Sequence, residues 1–212
     1  MSPAQSPYER ALGDAAFGHG GLHPRLRAYF SAIPDGMRGV GHGTFDTVGT
    51  PRRWLRPVLR AFIDDDVVFP IWERDVPFTV VNVSSVEAGQ PAVVGERTFH
   101  FESGDRVMRD LISVTALGLV DTLGSRRRLR AAFHARVVEG ALLLQSTRVE
   151  VRLWGRYVRV PRMLAPRVEL EERFCDSDDR QHVSVLLSVP LIGRVYEYSG
   201  SFRYKLNTTR HD

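Results

Sequence analysis

The final strand-like stretch constrains this chain most. Over residues 195–206 the sequence alternates with a period of two. Tyr196, Tyr198, Phe202, Tyr204 and Leu206 fall on one face, while Glu197, Ser199, Ser201, Arg203 and Lys205 fall on the other. An aromatic stripe of this kind has to lie against something apolar, either a packed core or the wall of a cavity. The same period recurs upstream over 76–83, 92–101, 106–114, 129–138, 141–154, 168–174 and 182–189, with a short strand at 156–160. The separators read as turns: Glu87 to Gly89, Ser103 to Asp105, Glu139 to Gly140 and Asp176 to Asp179. Residues 117–123 lack the alternation and read as a helical turn. About eight or nine antiparallel strands in a meander curl into a barrel or half-barrel.

The first third of the chain follows other rules. Residues 8–17 and 24–33 read as short helices joined by a flexible glycine-rich step, Gly18 to Gly21; Pro24 suits a first helical turn. Residues 36–48 carry Gly36, Gly39, Gly41 and Gly43 before Phe45, the pattern of a bent first strand. Thr50 then reads as an N-cap with Pro51 at the first helical position. Trp54, Leu55, Val58, Leu59 and Phe62 form the apolar face of that helix, and Asp64 to Asp66 end it. The expected fold is mainly β (α+β): a curved antiparallel sheet forming a barrel or half-barrel, lipocalin-like in architecture, with N-terminal helices. Residues 1–66 form a helical preface with the first strand, 67–206 the barrel and 207–212 a tail, all in a single domain.

Composition narrows the function classes. A chain of 212 residues with 43% hydrophobic and 25% charged residues is an ordinary globular protein, not a disordered one. The single cysteine, Cys175, allows no internal disulfide and no cysteine-rich metal site, so a reducing, cytoplasmic compartment is expected. The N-terminus lacks the basic and apolar regions of a signal peptide, and no apolar run reaches the roughly 18 residues of a membrane span. The net charge of +4 comes from arginine, since Lys205 is the one lysine. Arg126, Arg127, Arg128 and Arg130 form one cluster, and Arg52, Arg53 and Arg56 another. Arginines elsewhere are interleaved with acids, which favours a solvated face over a nucleic-acid surface.

Four constellations could carry chemistry. Trp72, Glu73, Arg74 and Asp75 stand at a strand entrance, where Trp72 and Arg74 could line a pocket mouth and orient a polar group. His100 lies between Phe99 and Phe101, with Asp105, Arg106, Arg109 and Asp110 across a turn. It enters a cavity if the phenylalanines cover the outside, and faces water if they pack in the core. Glu172 shares a strand face with Leu170 and Phe174, opposite Glu169, Glu171 and Arg173, so it must be paired, protonated or functional, or moved outside by a bulge. Tyr196, Tyr198 and Tyr204 offer phenol hydroxyls on an apolar face, for a ligand or for ordinary packing. No metal site is expected, because His19, His23 and His42 have no zinc-like spacing. Cys175 precedes an acidic turn that would raise its pKa, and no glycine-flanked serine elbow occurs.

Several phrases taken together carry a resemblance: Tyr8 to Gly13, Leu22 to Leu26, Gly39 to Phe45, Asp75 to Pro77, Leu164 to Val168, Pro190 to Gly193 and Tyr198 to Gly200. In this order they resemble a bacterial family of domains of unknown function, number 4166, over almost the whole chain. Members of that family stand alone or are fused behind saccharopine-dehydrogenase-like reductase domains. The resemblance implies a reductase partner and brings no reaction or catalytic residue with it. Gly39, Gly41 and Gly43 lack the spacing of a dinucleotide fingerprint, so no nicotinamide site and no cofactor is expected.

The leading functional expectation is binding or substrate-shaping of a hydrophobic small molecule in a β-barrel cavity, with Trp72, Arg74, Tyr196, Tyr198 and Tyr204 as binding residues. The alternatives are a cyclase- or isomerase-type enzyme using His100 and Glu172 in the same cavity, and an interaction module for a reductase partner. Neither nucleic acid nor a membrane span belongs to any of these readings.

Overall fold

Tight turns set the meander. Ala88-Gly89, Glu139-Gly140 and Trp154-Gly155 each place two successive residues at positive φ, the backbone of a type I′ turn, whose twist matches that of paired strands. In the computed structural model, which describes residues 5–62 and 67–209, the helices are α1 (Pro7–Leu12), α2 (Asp14–Phe17), α3 (Pro24–Phe30) and α4 (Leu55–Phe62). The strands are β1 (Met37–Gly49), β2 (Trp72–Glu87), β3 (Gln90–Phe101), β4 (Gly104–Thr115), β5 (Gly118–Leu123) and β6 (Leu129–Val138). They continue as β7 (Ala141–Leu153), β8 (Arg156–Arg159), β9 (Arg167–Cys175), β10 (Arg180–Val189) and β11 (Gly193–Thr208).

Neighbours run β6-β5-β4-β3-β2-β1-β11-β10-β9-β7, and β6 also pairs with β7, so 10 antiparallel strands close into a barrel. Strand β8 stands outside the ring. It pairs with residues 150–153 of β7, while residues 142–145 of β7 pair with β9. The barrel is wider than the eight- or nine-stranded one expected, and a wider ring needs more side-chain volume to fill it.

Aromatic rings supply much of that volume. Tyr196, Tyr198 and Phe202 of β11 are buried, so the alternating stripe does line the interior. Phe45 stacks on Phe78 at 3.8 Å and on Phe99 at 5.2 Å, with Tyr198 edge-on at 5.0 Å. Each fully buried phenylalanine contributes about 1.5–3 kcal/mol. The β1 glycines make room for these rings. Gly39, Gly41 and Gly43 lie one residue in two along β1, opposite Leu206, Tyr204 and Phe202 of β11. A Cβ on Gly39 would stand 1.5 Å from the Tyr204 hydroxyl.

Both ends of the barrel are covered. Leu55 and Leu59 of α4, with Val67, Val68 and Phe69 after it, pack among Phe99, Phe101 and Tyr196. At the opposite end Leu22, with Leu26 and Phe30 of α3, packs among Ile112, Leu119, Phe133 and Leu142, and Tyr8 and Leu12 of α1 pack against the same cluster. Arg25 pairs with Asp179 at 3.1 Å, and the His23 amide donates to the Gly140 carbonyl at 2.9 Å, fastening α3 to two strand turns.

Several local expectations are corrected. Residues 118–123 form strand β5, not a helical turn. The expected helix over 8–17 is two helices, broken at Gly13, whose φ is 74°. The third expected helix starts at Leu55 instead of Pro51, although the Thr50 hydroxyl still accepts from the Arg52 amide at 3.4 Å. On it Leu55 and Leu59 are buried, whereas Trp54 and Val58 are exposed. The Phe62 side chain and Asp64 to Asp66 lie outside the described residues. No helix among the described residues is long and apolar enough to cross a membrane.

Candidate functional site

Below the aromatic half of the interior the lining changes character. Arg97 shares the inner face of β3 with Phe99 and Phe101, and its guanidinium donates to Asp110 of β4 at 2.5 Å. Asp110 is 5% exposed and sits over Gly95, where a Cβ would come within 2.8 Å of both carboxylate oxygens. On β5 the adjoining inward residue is Asp121, whose Oδ1 is buried without a hydrogen-bond partner. Burial pushes its carboxyl well above the usual range, the neighbouring Asp110 charge adds to this, and Arg97 opposes it.

From the other wall Glu172 of β9 points inward at 4% exposure and accepts a hydrogen bond from Gln181 Nε2 on β10. Burial raises its carboxyl to about 7; Arg97 and the Gln181 hydrogen bond pull it back, and Asp110 adds to the rise. The covering helices add two phenols. Tyr8 of α1 and Tyr29 of α3 are both pushed well up, burial being the main cause. Tyr29 meets the Tyr204 ring edge-on at 4.6 Å. The Tyr204 hydroxyl is buried without a hydrogen-bond partner, and burial raises it to about 12.

This cluster holds a fixed cation, an ion-paired carboxylate, a second aspartate whose carboxyl burial pushes upward, and a glutamic acid able to give or take a proton near neutrality. Beside it a cleft of about 150 Å³ opens between α3 and the ends of β9 to β11. Arg25 and Ala28 of α3 form one side, while Phe174, Gln181, Phe202 and Tyr204 form part of its lining. Phe45, Phe78, Phe99 and Tyr198 pack on one another. The barrel's aromatic half is filled by its own side chains.

The sequence-derived candidates therefore separate. Glu172, Tyr198 and Tyr204 share the interior. Tyr196 is also buried, but at the α4 end next to Phe69, away from the charged groups. His100 is on the outer wall, since the core takes Phe99 and Phe101 and the strand alternates. There its Nδ1 lies 2.9 Å from Asp105, and the Thr79 hydroxyl stands between His100 at 3.5 Å and His42 at 3.3 Å. An interior role for His100 is thus replaced by an exposed surface pair. Trp72 is half-buried and Arg74 exposed at the start of β2, beside Gly49 and Thr47 of β1, at the α4 end.

A family model, the domain of unknown function DUF4166, matches residues 22–202. The chain belongs to the DUF4166 family. No curated protein and no solved structure matches it.

In this DUF4166 domain one group among the described residues combines metal-type ligands. Cys175, Asp178 and His182, around the β9–β10 turn, hold their ligand atoms within 4.8 Å of one another. His182 Nε2 already lies 2.8 Å from Asp178 Oδ2, and Cys175 Sγ lies 3.0 Å from the Ser177 hydroxyl. None of His19, His23 and His42 belongs to this group, whose three side chains come from two strands and the loop between them.

Of the residues that give the DUF4166 interior its polarity, Arg97, Asp121, Gln181, Tyr8 and Tyr29 were also missed, and Asp110 was grouped with His100 instead. A signal existed for Arg97. It has the parity of Phe99 and Phe101, so a strand with its phenylalanines inside had to carry an arginine inside as well. Asp110 follows from Arg97 through strand pairing, which places it next to Gly95. Tyr8 and Tyr29 could not be found this way, since their place depends on how the helices seat on the ring.

Proposed function

We propose that the barrel binds, or holds in shape for reaction, a small apolar molecule carrying one polar group, taken up at the α3-covered end. One observation carries the reading: an interior that could have been filled with hydrocarbon instead keeps Arg97 paired with buried Asp110, and buried Glu172, whose hydrogen-bond donor Gln181 lines the cleft. Buried charges of this kind destabilise a fold relative to apolar residues of the same volume, so their retention points to use. Phe202, Tyr204 and Phe174 would take the apolar body of the ligand. Glu172, Gln181 and the unpartnered Tyr204 hydroxyl would meet its polar group.

The test is titration with cis-parinaric acid, a fluorescent apolar acid, alongside native mass spectrometry of gently purified protein. A saturable site is expected, weakened at least about tenfold when Ala28→Trp fills the cleft. Absence of any co-purifying molecule together with absence of saturable probe binding would sink the reading.

A second reading, an enzyme of the cyclase or isomerase kind, is favoured by the Glu172 carboxyl, raised to about 7 by burial. An acid–base group is most effective near the working pH. Once a substrate is found, Glu172→Gln is expected to abolish turnover while leaving ligand binding within a few-fold. Turnover equal to wild type would remove Glu172 from the chemistry.

A further inference from the structure

The α4 end of the barrel displays side chains that the fold does not use. Strand β7 turns into β8 at Trp154, which is 96% exposed. Leu153, Val158, Met163 and Leu164 nearby in the chain are exposed too. Leu191, between β10 and β11, is 98% exposed, and it lines one cleft together with Arg167. Trp154 and Leu191 have φ of 47° and 67°, a region that favours Gly, Asn or Asp and strains bulky residues. A large apolar side chain that is unburied and on an unfavourable backbone adds nothing to the stability of the free protein.

The charge around these residues is one-sided. Residues 151–167 contain Arg152, Arg156, Arg159, Arg162 and Arg167, and neither Asp nor Glu. All five arginines are exposed, and none has an ion-pair partner among the described residues. Elsewhere on the surface arginines are commonly neutralised, as Arg109 is by Glu96 and Arg25 by Asp179.

We propose that this rim docks on an anionic lipid bilayer. Trp154 and Leu153, with Met163 and Leu164, enter the interfacial layer, and the five arginines hold lipid phosphates around them. Tryptophan suits the boundary between headgroups and acyl chains, and arginine lays its stem along apolar surface while its head stays with phosphate. Each basic residue near an anionic surface strengthens binding about fivefold at low salt. Nucleic acid also attracts arginine, and Trp154 is one stacking face, but Leu153, Val158, Met163 and Leu164 around it offer bases none and suit acyl chains instead. The inference does not depend on what the barrel holds.

The test is flotation of the whole protein with phosphatidylcholine vesicles, with and without phosphatidylglycerol. Binding is expected to the mixed vesicles alone and to fade as salt shortens the screening length. Trp154→Glu, and separately Arg156→Gln with Arg159→Gln and Arg162→Gln, are each expected to weaken it at least about tenfold. Both variants alter exposed side chains, and an unchanged melting temperature verifies that they fold. In a Trp54→Phe, Trp72→Phe background, Trp154 emission is expected to shift to the blue on mixed vesicles. No binding to anionic vesicles would overturn the proposal, and so would binding indifferent to Trp154→Glu. Tighter binding to double-stranded DNA than to vesicles, unaffected by Trp154→Glu, would reassign the rim to nucleic acid.

Discussion

Glu172 is the residue whose protonation most directly reports on the interior. Its carboxyl is raised from 4.5 to about 7, so in the folded protein it keeps a proton that the unfolded chain has already released. Its stabilising contribution is complete below pH 4.5 and is lost as the pH rises to about 7. The loss is on the order of 3 kcal/mol, since one unit is worth about 1.4 kcal/mol. Urea unfolding of Glu172→Gln at several pH values is expected to show a flatter profile than wild type, with the variant the more stable near pH 8. Asp121 titrates in the same sense but is common to both proteins, so the difference isolates Glu172. The Arg97–Asp110 pair gives the complementary result. Arg97→Met strands a buried carboxylate and is expected to lose about 3–5 kcal/mol, much of it recovered when Asp110→Asn is added. Glu172 could be found in the sequence because its parity set it among Leu170 and Phe174. Arg97 was legible in the same way, from its parity with Phe99 and Phe101, whereas Asp110 and Asp121 on β4 and β5 look like solvent-facing charges until the pairing of strands is known.

At the level of elements, what was legible followed the strength of local signals. Strands with one wet face announced themselves by alternation, and β6 was readable end to end. The turns at Ala88-Gly89 and Glu139-Gly140 were readable because glycine tolerates the positive φ they need. Strand β5 was not, because Leu119 and Val120 are both buried, at 2% and 1% exposure, and a strand covered on both faces has no period of two. The start of α4 was misplaced since Thr50 caps a turn before the helix instead of the helix itself. In β1 the glycines look like flexible punctuation, yet they are space left for rings. Gly39→Ala is expected to destabilise the fold by about 1–3 kcal/mol through overpacking. Thermal unfolding with Tyr204→Leu added should recover part of that loss, and no recovery would mean that the strand itself, not the collision, objects to the methyl group.

For the molecule as a whole, the seam between β1 and β11 decides when the structure exists. The strands that meet there lie at opposite ends of the described chain, with Gly39 opposite Leu206 and Val48 opposite Tyr198. Removing residues 193–209 leaves β1 and β10 as unpaired edges lined with apolar groups, and the shortened protein is expected to aggregate. A soluble, cooperatively melting product in size-exclusion chromatography would show that the remaining strands close without it. The seam also has a kinetic consequence. Joining the first stave to the last closes the longest loop the chain offers, and its entropy has to be met before the contacts it brings can reward it. Folding should therefore be slow for a protein of this size, with the seam amides among the last to gain protection from hydrogen exchange. The open ribbon that precedes closure is the state in which this protein is most exposed to misassembly, and every ring stacked across the seam shortens its life.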